Sequence, residues 1–315
     1  MNRQVKNTVK RALFRVHKLG TRLGVHVLPV HYYSALPDVL DLEKTKDVWA
    51  RKSELPGLEV DLRGQIRRLR DICIPYQNEY AGNQTYRHAL HNHFGSGYGY
   101  IEAQALHAVI RHFRPRHVIE VGSGVSTYCM LAALTMNKKE DGQPFSITCV
   151  EPHPSAPVRA LTEINLIPKN VQTLPFEVFR QLQEKDFLFI DSSHAVKPGS
   201  DVNYLILEVL PRLSPGVVVH FHDIYLPYDY SPAVLQTFLH WMETSLLRAF
   251  LIGNSRAKII FCQSHLHHDC KDVLKEVFPE YNPRWDKDGL LDAGCKPFEN
   301  LSDEHFPSST YIQMQ

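Results

Sequence analysis

The sequence predicts an α/β fold. Its centre is a doubly wound, mostly parallel sheet with a C-terminal antiparallel hairpin, and a helical and irregular extension precedes it. Three observations carry this. From residue 117 onward, apolar runs of strand length alternate with runs of helix length. The first strand runs through "VIEVGSGVST", a glycine turn that opens a helix. The last two apolar runs, "AFLIGN" and "AKIIFCQ", stand too close together for a parallel crossover and call for a hairpin.

Taken in order, residues 1–37 contain no Asp or Glu. Arg3, Lys6, Lys10, Arg11, Arg15, Lys18 and Arg22 interleave there with Val5, Val9, Leu13, Val16 and Leu19. That spacing is a basic amphipathic helix. It suits either an anionic membrane surface or packing on the main domain with a solvated basic face, and it superficially resembles an organellar transit peptide. Residues 25–60 are punctuated by Pro and read as an irregular leader. A short helix is expected over 61–72. Residues 76–100, rich in Tyr, Asn, His and Gly, have the composition of a loop or lid that faces substrate. A helix follows over 101–113. Strands are expected at 117–121, 146–151, 171–175, 186–191, 216–224, 249–254 and 257–263, with helices near 125–136, 155–164, 176–184, 201–213 and 232–246. Residues 264–315 read as a polar tail with one further strand at "STYIQM". The expected division is 1–97 for helix, leader and lid, 98–263 for the sheet domain, and 264–315 for the tail.

Composition narrows the class. Hydrophobic residues make up 43% of the 315 and charged residues 22%, which is ordinary for a soluble globular chain. A formal net charge of +1 gives no global field for nucleic acid. No apolar run approaches the roughly 18–20 residues of a membrane span. The six cysteines, Cys73, Cys129, Cys149, Cys262, Cys270 and Cys295, form no CxxC pair. Reduced thiols and a cytoplasmic location follow, with residues 1–22 as the one segment suited to peripheral membrane contact.

The glycine turn carries the first chemistry. Gly122 and Gly124 allow a tight turn and close approach of a ligand, and Ser123, Ser126 and Thr127 surround the helix start, where N–H groups are free. A dinucleotide fingerprint needs a third glycine where Thr127 stands. Glu120 is wrong for a pyrophosphate and right for a cationic ligand such as S-adenosyl-L-methionine. Glu151, at the end of the second strand, is placed to accept ribose hydroxyls.

The second chemistry lies at two other strand ends. "DFLFIDSSH" ends on Asp191 with His194 in the following loop, and "GVVVHFHDI" ends on His222 and Asp223. Ligands in open α/β sheets sit beyond these carboxyl ends, so the four residues should meet beside the cofactor. Asp191, His222 and Asp223 make a hard-to-borderline divalent site, Mg²⁺ or Mn²⁺, and His194 a general base. Tyr225, Tyr228 and Tyr230 either line an acceptor pocket or pack between loop and sheet. His220 shares the face of His222 one layer deeper and reads as a core histidine. "HLHHDC" (265–270) reads as a surface run.

These motifs, with "VHYYSALPD" in the leader, resemble the bacterial class I S-adenosylmethionine-dependent methyltransferase family often found with glycan-biosynthesis genes. They are distantly similar to the metal-dependent macrolide-sugar O-methyltransferases. The resemblance spans nearly the whole chain and is most specific over 117–231. It implies the Rossmann-like methyltransferase sheet, a metal held at Asp191 and Asp223, and His194 as base. His222 departs from it, because a carboxylate is expected there. The function implied is methyl transfer to a hydroxyl of a sugar or glycan acceptor, within polysaccharide biosynthesis. The rival readings are a metal-independent methyltransferase of the same fold and a non-catalytic cofactor-binding scaffold.

Overall fold

The computed structural model describes residues 3–34, 36–282, 286–287, 289–291 and 306–315, so Cys295 lies outside the described residues. The chain divides into two compact units, 1–49 and 50–315. In the first unit the basic segment forms helix α1 (Arg3–Arg22). Two short helices follow, Val39–Lys44 and Lys46–Trp49. The first of these is capped by Asp38, whose carboxylate accepts the N–H of Leu40 at 3.0 Å.

The second unit opens with helix α2 (Leu62–Cys73), capped by Asp61, which accepts the N–H of Gly64 at 2.8 Å. Residues 76–100 are less loop-like than their composition suggests. They hold a one-turn helix at Gln77–Tyr80 and helix α3 (Gln84–His91), and then run irregularly into helix α4 (Tyr100–Phe113). The alternating part runs β1 (His117–Val121), α5 (Val125–Asp141), β2 (Ser146–Val150), β3 (Ile164–Ile167), β4 (Phe187–Ile190), β5 (Val218–Phe221), α6 (Glu243–Leu251) and β6 (Ala257–Cys262). Helices α7 (Gln263–Asp269) and α8 (Lys271–Val277) and strand β7 (Thr310–Met314) complete it.

The sheet order is β3-β2-β1-β4-β5-β7-β6. The first five strands are parallel, and β7 runs antiparallel to both β5 and β6. This is the expected mostly parallel, doubly wound sheet with an antiparallel pair from the C-terminal part of the chain. The pair is built differently from the expectation, however. "AFLIGN" is the end of α6 and its turn, and the partner of β6 comes from "STYIQM". The further strand expected at "STYIQM" is therefore no edge of a polar tail: it lies between β5 and β6, buried at every position but Gln313.

Other boundaries moved for local reasons. The third strand lies at Ile164–Ile167, and 171–173 is a 3₁₀ turn. As the outermost strand, β3 is only partly buried, so its apolar signal is weak. The helix expected over 155–164 is one turn, Ala156–Arg159, capped by Ser155. The helix near 176–184 shortens to Glu177–Arg180. Residues 232–242 form turns and irregular chain, and α6 starts only at Glu243.

Strand alternation sorts side chains onto two faces. Val118, Phe187, Phe189 and Val218 pack with α2, α4 and α5 on one side. Ile119, Val121, Leu188, Ile190, Val219 and Phe221 pack on the other, with α6 and the helical stretch from Asp201. Glu120 and His220 belong to the first face by the same alternation. So do Asp191 and His222, the next residues in phase beyond β4 and β5. This phase brings residues from three strands to one side of the sheet.

Candidate active site

The glycine turn after β1 is fixed from within. Glu120 is wholly buried and accepts from Ser126 Oγ at 2.6 Å, Thr127 Oγ1 at 2.7 Å and Cys149 Sγ at 3.1 Å. Thr127 Oγ1 in turn accepts the N–H of Gly124 at 2.9 Å. Burial raises the Glu120 carboxyl to about 7, against the pull of those donors. The sequence suggested that Glu120 meets a cation directly. The structure instead places it behind the turn, where it ties β1 to the start of α5.

Gly122 has φ +100°, and a Cβ there would sit 2.2 Å from the carbonyl oxygen of Asp191. A Cβ on Gly124 would come within 2.8 Å of the Phe94 carbonyl, so the segment before α4 also presses on the turn. In front lies a cleft of about 350 Å³, lined among others by Gly122, Glu151, Asp191, Ser192 and Asp201. Glu151 is half-buried at its rim and accepts the N–H of His153 at 2.6 Å. Ser123 Oγ is buried without a hydrogen-bond partner.

Asp191, His194, His222 and Asp223 meet as expected. His194 Nε2 lies 3.3 Å from Asp191 Oδ1 and 3.5 Å from Asp223 Oδ2. His222 Nδ1 lies 3.4 Å from Asp191 Oδ1 and 3.7 Å from Asp223 Oδ2. Ligand atoms of Asp191, His194 and His222 all fall within 4.8 Å of one another. His194 and Asp223 both have φ +55°, left-handed backbone that is uncommon outside glycine, though Asp and His adopt it more readily than most, and that concentrates at functional sites.

Two carboxylates missed by the sequence reading complete the cluster. Glu243 Oε2 is 2.7 Å from His194 Nδ1, and Glu102 Oε1 is 3.7 Å from His222 Nε2. Glu102 Oε1 also accepts from the N–H of Ser308 at 2.8 Å. His194 is further held by Trp241, ring centroids 4.7 Å apart, and by the N–H of Met242 on its carbonyl at 3.2 Å. The available signal was a single acid in "HWMETSLLRAFL", an otherwise apolar-faced stretch.

Burial works against charge on both rings, yet the surrounding carboxylates hold His194 and His222 well above the usual histidine range. Burial would raise Asp191, but the two imidazoles outweigh it and hold its carboxyl well below the usual range. Glu243 is raised by burial despite its histidine partner. Four acids thus surround two imidazoles, a donor set with surplus negative charge. His222 is buried, and neither of its ring nitrogens has a hydrogen-bond partner.

The remaining candidates separate. Tyr225 is buried and donates to Asp223 Oδ1 at 2.9 Å. Tyr228 is buried against Tyr230 and His268, so packing describes it. His220 is the expected core residue. It stacks on Phe189 at 4.2 Å, lies 2.7 Å from Ser309 Oγ and is held well below its ordinary value by burial. "HLHHDC" is not a surface run. It forms α7, with His265 and His267 buried. There His265 pairs with Asp269 at 3.0 Å, and Lys52 also reaches Asp269.

Residues 119–224, from β1 to just past β5, match a family model described as a methyltransferase domain. That stretch, about a third of the chain, is therefore similar to methyltransferase domains. An uncharacterized protein of Archaeoglobus fulgidus is 28% identical over 182 residues, covering 55% of this chain and 80% of the relative. Among solved structures the chain is similar to an SAH-bound methyltransferase from Podospora anserina. That match has a TM-score of 0.40 and 13% identity, covering 92% of this chain and 98% of that one. It is also similar to a SAM dependent methyltransferase from Archaeoglobus fulgidus, with a TM-score of 0.33 and 11% identity over 68% of this chain and 94% of that one. Likeness at that distance assigns no residue roles. Among the described residues, no helix is long and apolar enough to cross a membrane.

Proposed function

We propose that the protein is an S-adenosylmethionine-dependent O-methyltransferase, assisted by a divalent metal, that acts on a hydroxyl of a sugar or glycan acceptor. The observation that carries the reading is the double position of Asp191. Its carbonyl abuts Gly122 in the glycine turn, while its carboxylate belongs to the histidine–carboxylate cluster. Donor cleft and proton-handling groups therefore share one residue. The sugar class rests on the resemblance to sugar O-methyltransferases.

S-Adenosylmethionine would supply the electrophilic methyl group, with the turn at Gly122–Gly124 and Glu151 holding it. A divalent ion held by Asp191, His222 and Asp223 would lower the pKa of the acceptor hydroxyl. The unpartnered nitrogens of His222 and the carboxylates of Asp191 and Asp223 beside them fit such an ion. With an ion's charge offsetting Asp191 and Asp223, Nε2 of His194, which faces them, would be left unprotonated to take the hydroxyl proton, while Nδ1–H stays donated to Glu243. A base so placed is worth about 10²–10⁴-fold.

A second reading has an observation of its own: His194 Nε2 is among the ligand atoms grouped within 4.8 Å, so it suits a ligand as well as a base. A screen of sugar acceptors with radiolabelled methyl donor, with and without chelator, tests the proposal. Donor binding without transfer to any hydroxyl would leave the scaffold reading. Transfer indifferent to chelator would leave the metal-independent enzyme.

A further inference from the structure

We propose that helix α1 is a docking element for an anionic lipid surface. Projected at 100° per residue, Val5, Val9, Leu13, Val16 and Leu19 fall on one arc about 120° wide. Lys6, Lys10, Arg11, Arg15, Lys18 and Arg22 lie outside it. The five apolar side chains stay 40–58% exposed, an unusual state for an aliphatic stripe aligned along several turns. On the opposite side Lys18 covers the ring of Phe14, its Nζ 4.9 Å from the centroid, so this off-arc aromatic is partly shielded by the chain itself.

Charge selects the occupant. Residues 1–37 carry seven Lys and Arg and no acid, in a chain whose net charge is +1. The remaining residues therefore carry −6, and the positive charge that an anionic surface would attract is confined to the segment holding the exposed arc. A basic ring around an aliphatic arc is the pattern of a helix lying in the headgroup plane, apolar side inward. Nucleic acid would use the charges and leave the valines and leucines in water. A second copy would cover the arc but bring two rings of like charge together.

The test is flotation of the full chain with vesicles of phosphatidylcholine alone and of phosphatidylcholine mixed with phosphatidylglycerol. Binding is expected only to the mixed vesicles and is reversed by salt. Removing three charges together (Lys10→Gln, Arg11→Gln and Arg15→Gln) should weaken partitioning by on the order of 100-fold, at about 1 kcal/mol per charge. The double variant Val9→Ser and Val16→Ser should weaken it with all charges kept. Equal thermal unfolding of variants and parent would show that the main unit is intact. The proposal is overturned if the chain ignores mixed vesicles, or if the serine variant floats like the parent. It is equally overturned if light scattering finds a dimer that the serine variant breaks in the absence of lipid. Duplex oligonucleotide binding that the serine variant leaves unchanged, without vesicle binding, would assign the helix to nucleic acid instead.

Discussion

Glu243 Oε2 sits 2.7 Å from Nδ1 of His194, although the two are 49 residues apart and belong to different elements. The carboxylate fixes which nitrogen of the ring carries its proton and aims Nε2 at Asp191 and Asp223. That is the partner a histidine needs whether it accepts a proton or binds an ion. Glu243→Gln should therefore lower kcat by about 10–100-fold and leave donor affinity, measured by calorimetry, unchanged. A wild-type kcat would reduce Glu243 to a buried packing residue.

His194→Gln separates the two readings of that ring. With His194 as base, methyl transfer falls by about 10²–10⁴-fold while Mn²⁺ affinity holds. A parallel loss of Mn²⁺ affinity, read by calorimetry without donor or acceptor, would make His194 a ligand.

Glu120 gives a pH test away from the cluster. Its carboxyl is raised from an ordinary 4.5 to about 7, so the neutral form is the one the fold prefers. The stability it contributes is complete below pH 4.5 and is lost as pH rises through about 7. The span is worth about 3 kcal/mol. Between those limits wild type should lose stability to urea by about that much more than Glu120→Gln. Parallel pH profiles for the two proteins would show that Glu120 ionises freely in the fold.

The sequence made the cluster legible because strand period did the work. Asp191 and His222 end two apolar runs in the same phase, so alternation alone put them on one face. The parallel order of β1, β4 and β5 then put them at one end. Glu243 and Glu102 were not legible. Each stands on a helix distant in sequence, and only the packing of α4 and α6 against opposite faces brings them to the histidines. The partner of β6 was misassigned for a related reason. "AFLIGN" and β7 are both short apolar runs, and periodicity over five or six residues does not separate a buried helix end from a strand. The choice was made by which run could pair between β5 and β6.

Gly122 is constrained by the protein itself, before any ligand enters. A methyl group there meets the Asp191 carbonyl at 2.2 Å, and φ +100° disfavours any side chain. Gly122→Ala should push the end of β4 away from the turn, lowering stability by about 1–3 kcal/mol and disturbing donor binding and the cluster together. An alanine variant that weakens donor binding with unchanged unfolding and unchanged metal affinity would locate the constraint in the ligand.

His222 decides what kind of ion the cluster suits. Its nitrogens are buried without hydrogen bonds and face carboxylate oxygens 3.4–3.7 Å away. Those distances leave the ring poorly paired by protein alone. An imidazole donor favours Mn²⁺, Fe²⁺ or Zn²⁺ over Mg²⁺, so wild type should bind Mn²⁺ more tightly than Mg²⁺ in calorimetry. His222→Asp replaces nitrogen with a hard oxygen and should narrow that gap. It also sets another carboxylate beside Asp191, Asp223 and Glu102, with His194 as the nearby cation. The metal-free variant should therefore unfold more easily than wild type and recover more on adding metal. At about 100 times Kd a bound ion stabilises by about 2.7 kcal/mol, which thermal unfolding resolves. Asp191→Asn should abolish the response in either background. If neither wild type nor His222→Asp is stabilised by any of these ions beyond the effect of matched NaCl, the cluster works as a metal-free proton relay.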